Sequence, residues 1–278
     1  MIGLGSNRLT CCRRGGMSVT QAGRGGMEWL AGYREPSWAS PYSRQATAAL
    51  KAQFPTQWPT IRDYGFAHPA LVPFINEDPM LVMSLIEGLG WRGLKNTTDA
   101  YIILDYVPKA ATDIEASFIW EQDNPNTNNE VTLFGARASG NQFAYFVRAR
   151  GKDYGYWFRG NANPTTALPS KNVIYNIHTE GAKLYIGTTA YTADANSQSV
   201  GYKLRLFDNN LSGQESRQYS LFRGQIGKYI IKESGSVIHE LYPFKRNNVC
   251  GLIDVTIDKF YSNEAGSGSF TISETPAS

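Results

Sequence analysis

Downstream of residue 98 the chain keeps starting short apolar runs and stopping them. TDIEASFIW, NQFAYFVRA, YGYWFRG, KLYIGTTAY, YKLRLFD and GKYIIKE recur at short intervals, each rich in Tyr, Phe, Ile, Val or Thr and bounded by Gly, Asn, Asp or Ser. Their period of two sends successive side chains to opposite faces of a strand, so each run can offer one face to a core and one to solvent. No amphipathic helical pattern separates the runs, which argues against a parallel sheet and its crossover helices. The expected fold class is therefore all-β, an antiparallel two-sheet jelly-roll sandwich preceded by an extended, partly helical N-terminal arm.

Residues 235–270, GSVIHELYPFKRNNVCGLIDVTIDKFYSNEAGSGSF, read as the closing turn of such a sandwich. An apolar stretch (Ile238, Leu241, Tyr242, Phe244) reverses at Arg246-Asn247-Asn248, a strand follows from Val249, and a Gly/Ser closure precedes Phe270. Tyr242, Pro243, Lys245, Gly251, Leu252, Asp254, Lys259, Phe260, Tyr261, Gly266, Gly268 and Phe270 fit the pattern FxPxKrnnxxGLyDxxxgkFY followed by sGtGsF. Upstream, Tyr101, Ile102, Pro108, Thr112, Ile114, Glu115 and Phe118 fit an entry strand. Leu133 to Arg137 spell LFGAR, Lys183 to Thr188 fit KLYINGT, Leu206 to Asn210 fit LFxxN, and Gly224 to Lys232 fit GKIYSFKIY. In this order the phrases resemble the concanavalin A-like, laminin-G-type jelly-roll domains of phage structural proteins and gut bacterial surface proteins. The resemblance covers about two thirds of the chain, from about residue 97 to 272, and implies a lectin-like sandwich.

The first third has another character. Residues 1–62 hold eight Lys/Arg against two acids, a net +6, whereas the whole chain is +3, so residues 63–278 carry −3. Arg-Gly-Gly-Met occurs at Arg14 to Met17 and again at Arg24 to Met27, with few apolar residues before Trp29. A segment so poor in apolar surface cannot offset its own ordering entropy, and a partner is expected to order it. Ser43 can cap a helical run through Ala46, Ala48, Ala49 and Leu50 that stops at Pro55. Asp78 and Pro79 can start a helix over Met80 to Glu87, ended by Gly88, although LVMSLI reads equally well as a first strand. Between these runs, Pro55, Pro59, Pro69 and Pro73 favour an extended path. The expected organisation is an attachment arm over 1–94 and a sandwich over 95–278. Arg8, Arg13, Arg14, Arg24, Trp29, Trp38 and Trp58 are the candidate docking residues.

Several classes of function lack their residues. Met1 to Leu30 has no apolar core of the kind a secretory signal needs, and no apolar stretch approaches the ~20 residues of a membrane span. Cys11, Cys12 and Cys250 do not make a disulfide framework. These absences suit a virion protein assembled in the host cytoplasm. Endoglucanases of related fold carry Glu-x-Asp-x-x-Glu on one strand, placing two carboxylates on one face. Asp113, Glu115 and Glu121 are the nearest approach and have the wrong spacing, so no catalytic residue is assigned. His68, His178 and His239 are scattered and read as surface or strand residues. Asp254, Thr256 and Asp258 share a strand face and Asp194 with Asn196 lies in a polar loop, but Asp254 reads better as a cap for backbone amides than as a calcium ligand. No metal or cofactor is expected.

Binding remains. On one strand Tyr154, Tyr156 and Phe158 face one way while Trp157 and Arg159 face the other, with Asn161 and Asn163 following, so an aromatic and polar strip can meet a sugar. Tyr154, Tyr156, Trp157, Arg159 and Asn161 are the candidate glycan contacts; packing of the strip into the core or against a neighbour is the competing expectation. Two Arg-Gly-Gly copies make a weak nucleic-acid signal, and docking on an acidic virion surface is favoured. The expected protein is a bacteriophage accessory, a head fibre or capsid decoration, that docks on a capsid or other virion protein and displays a homo-oligomeric lectin-like sandwich to host-surface or mucus glycans. A tail or baseplate appendage, a purely structural stabiliser and a glycan-cleaving enzyme are the alternatives.

Overall fold

The structure, a computed structural model, describes residues 48, 51–56, 58–68, 71–85, 90–121, 130–138, 141–150, 153–158, 161–165, 170–181, 183–192, 200–208, 210–211, 221–265 and 267–276; in the strands between 137 and 165 it describes backbone alone. The chain divides into two units, Met1–Asn76 and Glu77–Ser278. Among the described residues no helix is long and apolar enough to cross a membrane.

In the first unit, Ala48 and residues 51–53 are helical and the run ends before Pro55. Two helices follow, α1 (Trp58–Ala67) and α2 (Val72–Glu77), the latter reaching the boundary. The prolines do not hold this stretch extended as the sequence suggests. Pro59 and Pro73 each take the second position of a helix, within the first turn, where a missing N–H forfeits no intrahelical bond.

The second unit opens with a capped turn. Asp78 Oδ1 accepts from the Met80 N–H at 3.2 Å, and a 3-10 turn at Pro79–Leu81 leads into α3 (Val82–Leu85), so the helix-or-strand ambiguity resolves as helix up to Leu85, while the expected end at Gly88 lies outside the described residues. The strands then run β1 (Gly90–Asn96), β2 (Ile102–Ile103), β3 (Thr112–Trp120), β4 (Glu130–Ala138), β5 (Asn141–Arg150), β6 (Asp153–Phe158), β7 (Asn161–Thr165), β8 (Ile174–Glu180), β9 (Lys183–Ile186) and β10 (Thr189–Thr192). They continue as β11 (Arg205–Leu206), β12 (Asn210–Leu211), β13 (Gly224–Glu233), β14 (Ser236–Arg246), β15 (Val249–Asp254), β16 (Lys259–Tyr261) and β17 (Phe270–Pro276). The boundary expected after residue 94 falls inside β1, whose residues pair one for one with β17 from Gly90↔Pro276 to Asn96↔Phe270.

The strands form the antiparallel two-sheet jelly-roll sandwich. The larger sheet has the order β10-β9-β8-β3-β13-β14-β15-β16, with β1 beside β13 and β17 beside β1; the smaller has β2-β11-β4-β5-β6-β7, with β12 joining β4 in parallel. Phe118, Tyr229, Leu241 and Leu252 of the larger sheet and Phe134, Ala136 and Leu206 of the smaller build the core between them. Tyr229 and Phe134 meet edge to face at 5.7 Å. YKLRLFD forms only the two residues of β11, because Phe207 turns to φ 64. That conformation is costly for a bulky residue, and the fully buried ring, 4.9 Å from Phe270 and 6.0 Å from Phe222, offsets it.

Two tight hairpins set the register of the larger sheet. Asn247 and Asn248 have φ 50 and 65 between Arg246↔Val249, and Ser234-Gly235 have φ 49 and 82 between Glu233↔Ser236, the paired left-handed residues of two-residue hairpins whose twist matches the strands. Strand β13 is bulged between Ile226 and Tyr229 and forks the sheet there: its first residues pair with β1, its last with β14. Gly227 occupies the bulge because a Cβ would lie 2.6 Å from both Ser117 Oγ and the Trp91 ring.

Candidate functional site: a cleft on the outer face of the larger sheet

Strict alternation divides β3 and β8 into two faces. Ile114, Ala116 and Phe118 with Ile177 and Thr179 are buried, while Glu115 and Ser117 with Asn176 and His178 point out of the sandwich. Register aligns the outward residues across five strands: Tyr185 of β9 opposes His178 of β8, His178 opposes Glu115 of β3, Glu115 opposes Ile230 of β13, and Ile230 opposes Glu240 of β14. Beside this row lies an open cleft of about 380 Å³, with Glu115, Ser117, Asn176, His178, Lys228 and Ile230 among its lining.

The cleft combines an apolar floor with polar walls. Ile230 is 6 % exposed, and the His178 and Tyr185 rings stack in parallel at 4.4 Å and 4°. Lys232 pairs with Glu115. Lys228 pairs with Glu240 at 3.2 Å and lies 5.6 Å over the Tyr242 ring, while the Tyr242 hydroxyl donates to Glu240 at 2.5 Å. The side chains of Asn176, Ser117 and His178 have no hydrogen-bond partner among the described residues. Such a surface can stack on the C–H face of a ring and exchange hydrogen bonds with hydroxyls.

A second polar cluster sits where β13, β14 and β15 meet the residues after β2. Asp254, fully buried, accepts from the Thr256 N–H at 3.0 Å and the Glu240 N–H at 3.3 Å, and its other oxygen pairs with His239 Nδ1 at 2.6 Å. The amide-capping role expected for Asp254 is thus the observed one. Thr256 and Asp258 do not share its strand, because β15 ends at Asp254 and Asp258 turns to φ 50. Beside His239, Tyr106 donates to Glu233 at 3.0 Å, and burial pushes its phenol up to about 12. Hydrogen bonds from Lys109 and Tyr106 hold the Glu233 carboxyl below its ordinary range. These groups satisfy one another and fasten the end of the sandwich.

The acids weighed for catalysis are dispersed. Asp113 accepts from Gly181 N–H at 3.0 Å and from the Thr179 hydroxyl at 3.2 Å; Glu121 pairs with Lys95 at 2.9 Å; Glu115 alone reaches the cleft. Of the candidate sugar contacts, Tyr154, Tyr156 and Trp157 lie on β6 of the smaller sheet, Trp157 between Phe146 and Ala162 and Tyr156 between Val147 and Asn163. Asn161 begins β7 opposite Phe158; the side chains of all four, and Arg159 entirely, lie outside the described residues. Arg8, Arg13, Arg14, Arg24, Trp29 and Trp38 are likewise outside them. Trp58 begins α1, with the Lys51 ammonium 5.1 Å over its ring. His178 is the exposed strand residue that the sequence suggests, but sequence reasoning did not name it, Asn176, Tyr185 or Lys228 as a contact. The signal was available in NIHTE, where Asn176, His178 and Glu180 share one phase of the alternation against Ile177 and Thr179.

No protein-family model matches the sequence, and no curated protein matches it. Solved structures do. A heptameric SAP-like pentraxin from Limulus polyphemus is similar over 68% of this chain and 97% of its own, at 8% identity and TM-score 0.43. A Bacteroides ovatus protein provisionally named as carbohydrate binding is similar over 68% of this chain and 62% of its own, at 9% identity and TM-score 0.46. Tailspike protein 2 of an Escherichia coli O157:H7 bacteriophage is similar over 56% of this chain and 23% of its own, at 8% identity and TM-score 0.34. The likenesses are remote, and the jelly-roll assignment rests on the strand order itself.

Proposed function

We propose that this chain is a non-enzymatic glycan-binding jelly roll, displayed on a bacteriophage virion as a head fibre or capsid decoration. The open cleft carries the binding half of the proposal: exposed His178 stacked on Tyr185 beside the disengaged Asn176 amide and Ser117 hydroxyl. Composition supports the docking half, since the +6 of residues 1–62 and their Arg-Gly-Gly-Met repeats suit an arm ordered by an acidic virion protein better than a self-sufficient fold. Weak contacts, repeated by a homo-oligomer and again by many copies on a particle, would add up to useful avidity. A tail or baseplate appendage, or a stabiliser that binds nothing, would share the same arm.

Two measurements separate these possibilities. Retention of the full chain on immobilised host-surface or mucin glycans is expected to fall about two- to tenfold in His178→Ala, with cooperative unfolding retained, because a ring stack contributes roughly 0.5–1.5 kcal/mol. Unaltered retention would move the binding surface off this cleft, and Trp157→Ala would then test β6. Removing residues 1–62 is expected to abolish incorporation into particles; continued incorporation would overturn the docking role of the arm.

A further inference from the structure

The charges around the cleft constrain what it can hold. Both lysines at its edge already have carboxylate partners on the same face, Lys232 with Glu115 and Lys228 with Glu240, and the Glu240 carboxylate is further held by the Tyr242 hydroxyl. Glu115 and Lys228 remain 45% and 44% exposed, so each pair is in reach of a ligand without being unmatched. An incoming carboxylate or sulfate would have to detach Lys228 from Glu240 or Lys232 from Glu115, and would then lie beside the released carboxylate. The repulsion works against an acidic sugar. The groups without a hydrogen-bond partner among the described residues, the Asn176 amide, the Ser117 hydroxyl and the His178 ring nitrogens, are the kind that exchange hydrogen bonds with hydroxyls, and Ile230 with the His178–Tyr185 stack offers the apolar contact.

Resting on the glycan-binding proposal, we infer that the ligand is an uncharged, hydroxyl-rich oligosaccharide and that the two lysine–glutamate pairs exclude acidic sugars. From β8 across β3 to β13 is two strand spacings, about 10 Å, which accommodates about two to three sugar rings. The cleft reads hydroxyl pattern and ring face. Net charge of the ligand counts against it.

Titration calorimetry of the full chain at slightly alkaline pH tests this. Gluco-, manno- and galacto-oligosaccharides are set beside oligogalacturonate, sialyllactose and heparin fragments, each at low and high salt. The expected result is binding of at least one uncharged series with affinity changing less than about twofold between the two salts, and acidic ligands weaker by about tenfold or more. Tighter, salt-sensitive binding of an acidic ligand would overturn the exclusion while leaving glycan binding intact, whereas heat from none of the saccharides would overturn both. Glu240→Gln releases Lys228 without changing side-chain shape and is expected to raise acidic-ligand affinity about tenfold while altering uncharged-ligand affinity less than about twofold. Glu115→Gln, releasing Lys232, is expected to raise acidic-ligand affinity likewise should the first variant be unstable, and is read on the acidic ligands alone because Glu115 itself lines the cleft. Unchanged preference in a folded variant would sink the role assigned to the pairs.

Discussion

Asp254 illustrates how much one side chain can hold in a sandwich of this kind. Its carboxylate is fully buried, pins the N–H groups of Glu240 and Thr256, and lies 2.6 Å from His239 Nδ1 through its other oxygen. Truncation would leave buried donors without acceptors, so Asp254→Ala is expected to lower unfolding stability by about 3 kcal/mol in a denaturant titration; a loss under about 1 kcal/mol would mean that water replaces the carboxylate. Glu233, at the same end of the sandwich, links stability to acidity. Its hydrogen bonds with Lys109 and Tyr106 lower its pKa on folding, so the stabilisation is complete above the ordinary glutamate pKa and is lost as pH falls through the lowered value. The melting-temperature gap between the native protein and Glu233→Gln should therefore be widest near neutrality and close in acid, and a gap that stays constant down to about pH 3 would contradict the linkage.

Elements carry the fork. The bulge in β13 lets one strand serve two neighbours in succession, β1 and then β14, and Gly227 makes room for Trp91 and Ser117 there. Gly227→Ala is expected to cost about 2 kcal/mol through displacement of the Trp91 ring, measured as a shift in the denaturation midpoint. Strand phase was legible in the sequence because alternation alone assigns Ile114, Ala116 and Phe118 to the core and Glu115 and Ser117 outward. The reversal at Asn247-Asn248 was equally legible, since asparagine tolerates the left-handed conformation that such a turn demands. What sequence could not give is lateral neighbourhood. His178, Glu115, Ile230 and Glu240 are spread over 125 residues of sequence and meet only through register between β8, β3, β13 and β14. Helices α1 and α2 were hidden for another reason, because a proline looks disruptive until its place in the first turn is known.

At the scale of the whole molecule, the sandwich unit starts well before its family-like phrases do. Asp78 accepts from the Lys245 N–H at 2.9 Å and pairs with buried Arg92, and Glu77 grips Arg246 through two hydrogen bonds of 2.8 and 3.0 Å. A chain trimmed to residues 77–278 is therefore expected to melt cooperatively, whereas one trimmed to 95–278 lacks Arg92 and most of β1 and is expected to remain largely unfolded or aggregate, as calorimetry of the two would reveal. The pairing of β1 with β17 also has a mechanical meaning. Were the chain anchored through residues 1–62 and loaded at the cleft, as proposed, tension would enter the sandwich along β1. Its hydrogen bonds to β17 and β13 lie across that pull, so they resist together as a shear joint and do not open in turn like a zip.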